Sequence, residues 1–308
     1  MWIQGSTLSI SQRTLLPERA PSPVQAEAQE LATRLIQSYS ARHLIEEVLE
    51  FIREHSPVEP TVVDEYLLLR PQGTPLASLH IPAGYGVKGG AAREALVSTL
   101  KLRDLRQPRD LDLVRRGSHR TPEDDRVAQK FMGRDFELGA RVELIRNLEG
   151  YLGSRDITIN EVVSIDTSIH ASLLCVLDTI GQTIRPSRYR GGTLHRKPSL
   201  HGQSLLKMAR LFAEGVCSGE NWSITGIPEE VSFSEFDLAV HLNKAFQRGR
   251  HVADKFLHTC EILSLIAASD DRVRNALEEL EHMRHGERGL FPDIPSEEWQ
   301  TILNPRGE

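Results

Sequence analysis

Arg109-Asp110-Leu111-Asp112-Leu113-Val114 sets two aspartates one residue apart in a run that ends Leu-Val. Such a run predicts a short strand, and side chains i and i+2 of a strand share a face. Both carboxylates would then grip one hard cation, Mg²⁺ above all, while leaving room for substrate phosphates. Alone, an Asp-x-Asp reads more readily as a solvated edge strand or turn. Upstream, however, Tyr85-Gly86-Val87-Lys88-Gly89-Gly90-Ala91-Ala92-Arg93-Glu94-Ala95-Leu96 leads a Gly-Gly pair straight into a helix-forming stretch. Glycines let a backbone approach a phosphate closely, and a helix N-terminus offers unpaired N–H groups at its positive end. The two together predict a phosphate cradle placed before a metal site, in a chain that handles a nucleoside triphosphate.

Gly89-Gly90-Ala91-Ala92-Arg93-Glu94 resembles the Gly-Gly-x-x-Arg-Asp element of tRNA CCA-adding enzymes and bacterial poly(A) polymerases. These belong to the DNA polymerase beta superfamily of nucleotidyltransferases. Asp110 and Asp112 match the metal-binding Asp-x-Asp of that family. Leu148-Glu149-Gly150-Tyr151-Leu152-Gly153-Ser154-Arg155-Asp156-Ile157-Thr158-Ile159-Asn160 resembles its Leu-Glu-x-Asp-Leu-x-Arg-Arg-Asp-Phe-Thr-Ile-Asn signature. Leu206 to Gly215 is similar to the helix that opens the family's neck region. Order and spacing agree from about residue 80 to residue 215.

The resemblance implies a transfer of NMP from an NTP to an acceptor hydroxyl, with two Mg²⁺ ions as cofactors. Asp110 and Asp112 would be catalytic and would hold the metals. Glu143, in the run Arg141-Val142-Glu143-Leu144-Ile145, would be a third acidic group facing them. Gly89 and Gly90 would cradle phosphates. Arg93, Arg155, Asp156 and Asn160 would bind triphosphate and ribose, and Arg210 would line the base pocket. The acceptor implied is an RNA 3′ end, that of a tRNA foremost; a protein or small-molecule acceptor, or a catalytically inactive nucleotide-binding protein, is the alternative.

Two departures qualify this. Ser154 stands where the family has the first arginine of Arg-Arg-Asp, which removes a cation from the nucleotide pocket. Leu200-His201-Gly202-Gln203-Ser204 stands where the family's neck usually carries Glu-Asp-x-x-Arg, whose side chains template C and A. Nucleotide transfer is therefore expected, and ordered CCA synthesis is not.

Bulk composition bounds the rest. A chain of 308 residues, 39% hydrophobic and 26% charged, suits a globular protein of two lobes. Three widely spaced cysteines without a C-x-x-C fit a reducing compartment and no zinc site. No apolar run has the length of a membrane span and no signal peptide is evident, so no membrane partner and a cytoplasmic location are expected. A net charge of −6 argues against a basic coat protein for nucleic acid. Two basic clusters nevertheless occur, one from Lys101 to Arg120, the other Arg185, Arg188, Arg190, Arg196 and Lys197. Either would suit polyphosphate or an RNA end.

The expected fold is an α+β (α/β) nucleotidyltransferase lobe with a mixed sheet, followed by an all-helical lobe, with the active site in a cleft between them. Residues 1–28 read as a poorly ordered arm and 29–60 as an N-terminal helical segment broken near Ser38-Tyr39-Ser40. The transferase domain is expected over 61–168, with one strand from Val62 to Leu69 and a mobile polar loop from Arg116 to Arg134. A helical domain is expected over 169–308, where Ser232 and Glu235 suggest a capping box ahead of an apolar face of Phe236, Ala239, Val240 and Phe246.

Overall fold

The computed structural model describes residues 13–37, 42–64, 66–71, 73, 76, 79–106, 108, 111–132, 140–187, 198–227, 231–267 and 271–285. In chain order the elements are β1 (Arg13–Leu15), α1 (Pro23–Gln37), α2 (Arg42–His55), β2 (Pro60–Val63), β3 (Tyr66–Leu69), β4 (Tyr85–Val87), α3 (Gly89–Thr99), β5 (Leu113–Arg116) and α4 (Pro122–Met132). There follow β6 (Glu143–Ile145), α5 (Leu148–Gly153), a 3₁₀ turn (Thr158–Asn160), β7 (Val162–Ile165), β8 (Ser168–Ser172), α6 (Leu173–Ile180) and β9 (Thr183–Ile184). The last are α7 (Pro198–Cys217), β10 (Ser223–Ile227), α8 (Glu235–Phe246), α9 (Arg250–Ile262) and α10 (Asp271–His285). The architecture is mixed α/β, and the chain divides into two compact units.

The larger unit, residues 20–183 and 187–191, is built on a seven-stranded sheet ordered β2-β3-β8-β7-β4-β5-β6. β5 and β6 run parallel, whereas every other described pairing is antiparallel. Alternation sorts its side chains onto two unequal faces. Leu67, Leu69, Val87, Leu113, Val162, Ile169 and Ala171 point into the main core, which α1, α2, α3 and α6 cover. Tyr66, Val114, Ile145, Val163 and Ile165 point the other way, onto Leu148, Tyr151 and Leu152 of the short α5. This thinly covered face is the one that carries the candidate site.

Four expectations are corrected in this unit. α1 begins at Pro23 rather than after residue 28, because Ser22 and Gln25 form reciprocal contacts around a proline at the first helical position. α1 and α2 share the main core instead of standing as a separate segment; the expected break at 38–40 lies outside the described residues. Val62–Leu69 is a hairpin of two strands, turned at Asp64, whose φ is 56°. The polar stretch after Arg116 holds a helix, α4, in place of a mobile loop. Asp124 accepts from the Thr121 backbone (2.7 Å) and hydroxyl (3.1 Å) at its start, and Val127, Ala128 and Met132 are buried along it.

The other unit comprises residues 1–19, 184–186 and 192–308. Its helices α7, α8, α9 and α10 pack on one another, with Leu206, Met208, Phe212, Leu238, Leu242 and Phe256 buried. It is not all helical: β10 pairs antiparallel with β1, so part of the expected disordered arm is a strand. The pairing joins segments some 200 residues apart, beyond the reach of any local pattern. The capping box of α8 is Ser234 with Asp237, two residues later than expected, and Phe236 is accordingly exposed. Among the described residues no helix is long and apolar enough to cross a membrane.

Candidate nucleotide-binding site

The site begins where β4 meets α3. β4 lies between β5 and β7, and a Cβ on Gly86 would collide with the Ser164 carbonyl oxygen, so only glycine lets the two strands close. Lys88 caps α3 in an extended conformation, and its backbone N–H donates to the Asp112 carbonyl at 3.0 Å. Gly89 follows with φ +59°, a left-handed conformation that glycine adopts without strain. A Cβ there would lie 3.0 Å from Asp112 Oδ2. The Gly-Gly turn and the second aspartate of Asp-x-Asp are thus neighbours in space. Asp112 is exposed and stands one residue ahead of β5. Strand pairing sets Glu143 opposite Val114, and alternation puts both on Asp112's face.

Glu143 is the hub of the charges on that face. Its Oε2 is bound by the Lys88 ammonium and lies 3.5 Å from the Tyr151 hydroxyl, which donates to it. Arg155 Nη2 lies 3.8 Å from Oε1. The Arg155 guanidinium also sits 4.0 Å from the Tyr151 ring centroid and donates to its hydroxyl at 3.2 Å. Burial pushes the Tyr151 phenol well up; Arg155 opposes this, while Glu143 and Asp112 add to it. Tyr151 therefore stays protonated and serves as a donor.

A second set adjoins the first in sequence. Arg93 binds the Asn160 side-chain oxygen, and Asn160 Nδ2 donates to Asp156 Oδ1 at 2.8 Å. Asp156 Oδ1 also accepts from the Ile157 backbone at 3.0 Å. Helix α3 and the 3₁₀ turn are thereby tied together through three of the four residues expected to meet triphosphate and ribose. Behind them lies Glu161, 6% exposed, with hydroxyl donors Ser172 and Ser187 on its two oxygens. Burial pushes its carboxyl up to about 7, and Asp178 and Asp156 add to the shift. Ser154, in the missing arginine's place, accepts from Arg155 at 3.1 Å and donates to the Tyr151 carbonyl at 2.8 Å.

Of the expected site residues, Gly89, Gly90, Arg93, Asp112, Glu143, Arg155, Asp156 and Asn160 fall in the larger unit around the start of α3 and the end of α5. Asp110 lies outside the described residues, as do Arg188, Arg190, Arg196 and Lys197. Arg210 belongs to the other unit, where it is buried, bound to Glu214 and 3.4 Å from His241 Nδ1. Several basic residues between Lys101 and Arg120 have structural partners: Arg103 with Glu94, Arg115 with Asp124, Arg120 with Asp125. Among the described residues no three His, Cys, Asp or Glu side chains are grouped to hold a metal. Asp112 and Glu143 are hard oxygen donors suited to Mg²⁺, and Glu143 already has two cationic neighbours from the chain. Lys88 and Tyr151 were not singled out from the sequence. The one signal for Lys88 is its position directly before the Gly-Gly pair.

No protein-family model matches the chain, and a search of curated proteins returns no match.

Proposed function

We propose that the chain is a metal-dependent nucleotidyltransferase that moves an NMP from an NTP to an acceptor hydroxyl. The observation that carries the reading is that the Asp112 carboxylate lies beside the Gly89 turn, with Lys88, Tyr151 and Arg155 gathered on Glu143 across the β5–β6 pairing. The Gly-Gly turn and the Asp-x-Asp segment, 23 residues apart at Gly89 and Asp112, are brought side by side by the β4–β5 pairing. In the proposed reaction the acceptor oxygen attacks the α-phosphorus, a P–O bond forms, the bond to the β-phosphate bridge breaks, and pyrophosphate leaves. The acceptor's proton is released.

Asp112, with Asp110 and Glu143, would hold the metal. When bound, Mg²⁺ lowers the pKa of an attacking hydroxyl and neutralises charge on the triphosphate. The chain's own cations do the complementary work. Lys88 and Arg155 neutralise phosphate oxygens, and Arg155 offers a planar fork suited to them. Arg93 is held in place by Asn160, which Asp156 holds in turn. Tyr151, kept protonated, orients Arg155 and Glu143.

An RNA 3′ end is the acceptor proposed first. The Leu200–Ser204 stretch lacks the carboxylate and guanidinium pair needed to template bases, which favours one preferred NTP, or relaxed use of several, over ordered CCA addition. The same absence keeps a protein or small-molecule acceptor as the second reading. The test is incubation with each labelled NTP, Mg²⁺ and total RNA, beside an Asp112→Ala control. Label in RNA that depends on Asp112 supports the first reading. Label in protein supports the second, and no Asp112-dependent label with any acceptor overturns transfer.

A further inference from the structure

The thinly covered sheet face has a second opening. A cavity of about 310 Å³ lies where β5 and β6 end and α5 begins, lined by Asp64, Tyr66, Arg116, Arg146 and Glu149 among others. Arg116 is four residues beyond Asp112 on the same strand face, roughly 13 Å away at strand rise, so this cavity is distinct from the site at Gly89.

Its charges are unspent. Arg116 Nη2 lies 3.5 Å from His170 Nε2 and Arg146 Nη2 lies 3.5 Å from the Ser118 carbonyl. Neither guanidinium has a carboxylate partner among the described residues. Asp64 and Glu149 likewise have no cation there. His170, 8% exposed and edge-on to Tyr66 at 5.6 Å between ring centroids, cannot neutralise an acid, since burial first and Arg116 second push its pKa down to about 4. A single cavity therefore presents two unpaired guanidiniums, two unpaired carboxylates and an aromatic ring.

We infer that this cavity binds a nucleoside monophosphate, through Arg116 and Arg146 on the phosphate, carboxylates of Asp64 and Glu149 on the ribose hydroxyls, and Tyr66 against the base. Guanidiniums are the side chains best matched to a phosphate's oxygens. Carboxylates accept from a vicinal diol, and a purely anionic ligand would leave them repelled. The volume is at the small end of ligand sites, which suits one nucleotide and not a dinucleotide. The inference does not rest on the transfer reading.

The test is calorimetric titration of the full chain with AMP, CMP, GMP and UMP in EDTA, and with adenosine and inorganic phosphate as fragments. At least one monophosphate should bind saturably, with each fragment weaker by about tenfold or more. Arg116→Ala with Arg146→Ala should weaken it about tenfold or more at an unchanged unfolding midpoint, since both side chains are exposed. Asp112→Asn should leave it unchanged. Equal binding by the double variant, loss in Asp112→Asn, inorganic phosphate binding as tightly as the monophosphate, or no saturable binding by the wild type would each overturn the proposal. Failure of transfer activity would not.

Discussion

The Lys88 ammonium is bound by the Glu143 carboxylate, joining the cap of α3 to the first residue of β6. Both side chains are partly exposed, 26% and 36%. An ion pair so placed adds less than about 1 kcal/mol to stability, so its value must be sought elsewhere. Lys88→Met should change stability by less than that amount. If Lys88 meets the triphosphate, loss of a charge-assisted hydrogen bond should raise the KM for NTP by about 10- to 100-fold. Steady-state kinetics with a thermal melt separates the two. An unchanged KM beside a large loss of stability would make Lys88 a strut.

Gly89 and Asp112 make the next prediction. Gly89→Ala forces an L-residue to φ +59° and brings a methyl to 3.0 Å from Asp112 Oδ2. The backbone strain is about 1–2 kcal/mol, and the carboxylate must shift away. Stability should fall by that amount and transfer should fall with it. Asp112→Asn, by contrast, changes an exposed side chain. It should leave the melt unchanged while reducing transfer by about 100-fold or more, as expected for losing a metal's several kcal/mol. Wild-type transfer by a folded Asp112→Asn chain would remove Asp112 from the site.

Asp124 is predicted to be structural. It is fully buried and accepts from Arg115 Nε (2.6 Å) and Nη2 (2.8 Å), the Tyr85 hydroxyl (2.9 Å) and Thr121. Arg115 holds its carboxyl well below the usual carboxylate range. Asp124→Ala strands these donors and should cost about 3–5 kcal/mol. The sign of the pH effect follows from the depressed pKa. The stabilisation is present above the ordinary carboxylate pKa and is lost as pH falls below it. Chemical denaturation at pH 7 and pH 3 should show the gap between wild type and variant narrowing in acid.

Asp124 also marks the limit of what was legible. Thr121-Pro122-Glu123-Asp124 carries helix-start signals, but a run of charge from Arg116 onward hides the sparse buried positions Val127, Ala128 and Met132. The Gly-Gly turn into α3 and the strand at Glu143 are readable because each depends on residues close in sequence. The strand expected over the Asp-x-Asp run, by contrast, starts only at Leu113, and Asp112 meets Lys88 and Gly89 through strand pairing. The hairpin at Asp64 was obscured because apolar residues flank it on both sides. The β1–β10 pairing and the approach of His241 to Arg210 depend on packing, which short patterns do not encode, whereas Arg210–Glu214 is an i,i+4 pair on one helix. Lys88 and Tyr151 gained meaning only once β6 brought Glu143 beside them.

Glu161 yields the last prediction. Its side chain is buried between Ser172 and Ser187, with Asp178 and Asp156 as acidic neighbours, and its pKa rises from 4.5 to about 7. Between those values the folded chain binds more protons than the unfolded one, so stability falls as pH rises through the interval. The span corresponds to roughly 3 kcal/mol, to order of magnitude. His170 works in the opposite sense: its pKa is depressed to about 4, so stability rises with pH until the unfolded histidine loses its proton near ~6.5. The two effects partly cancel in the wild type, and a single pH profile would hide both. Glu161→Gln removes one and leaves the other. The difference in unfolding free energy between Glu161→Gln and wild type should therefore grow in the variant's favour from pH 4.5 to 7.5. Parallel profiles for the two chains would mean that Glu161 ionises normally in the fold, and that the two serines stabilise a charge already present at pH 5.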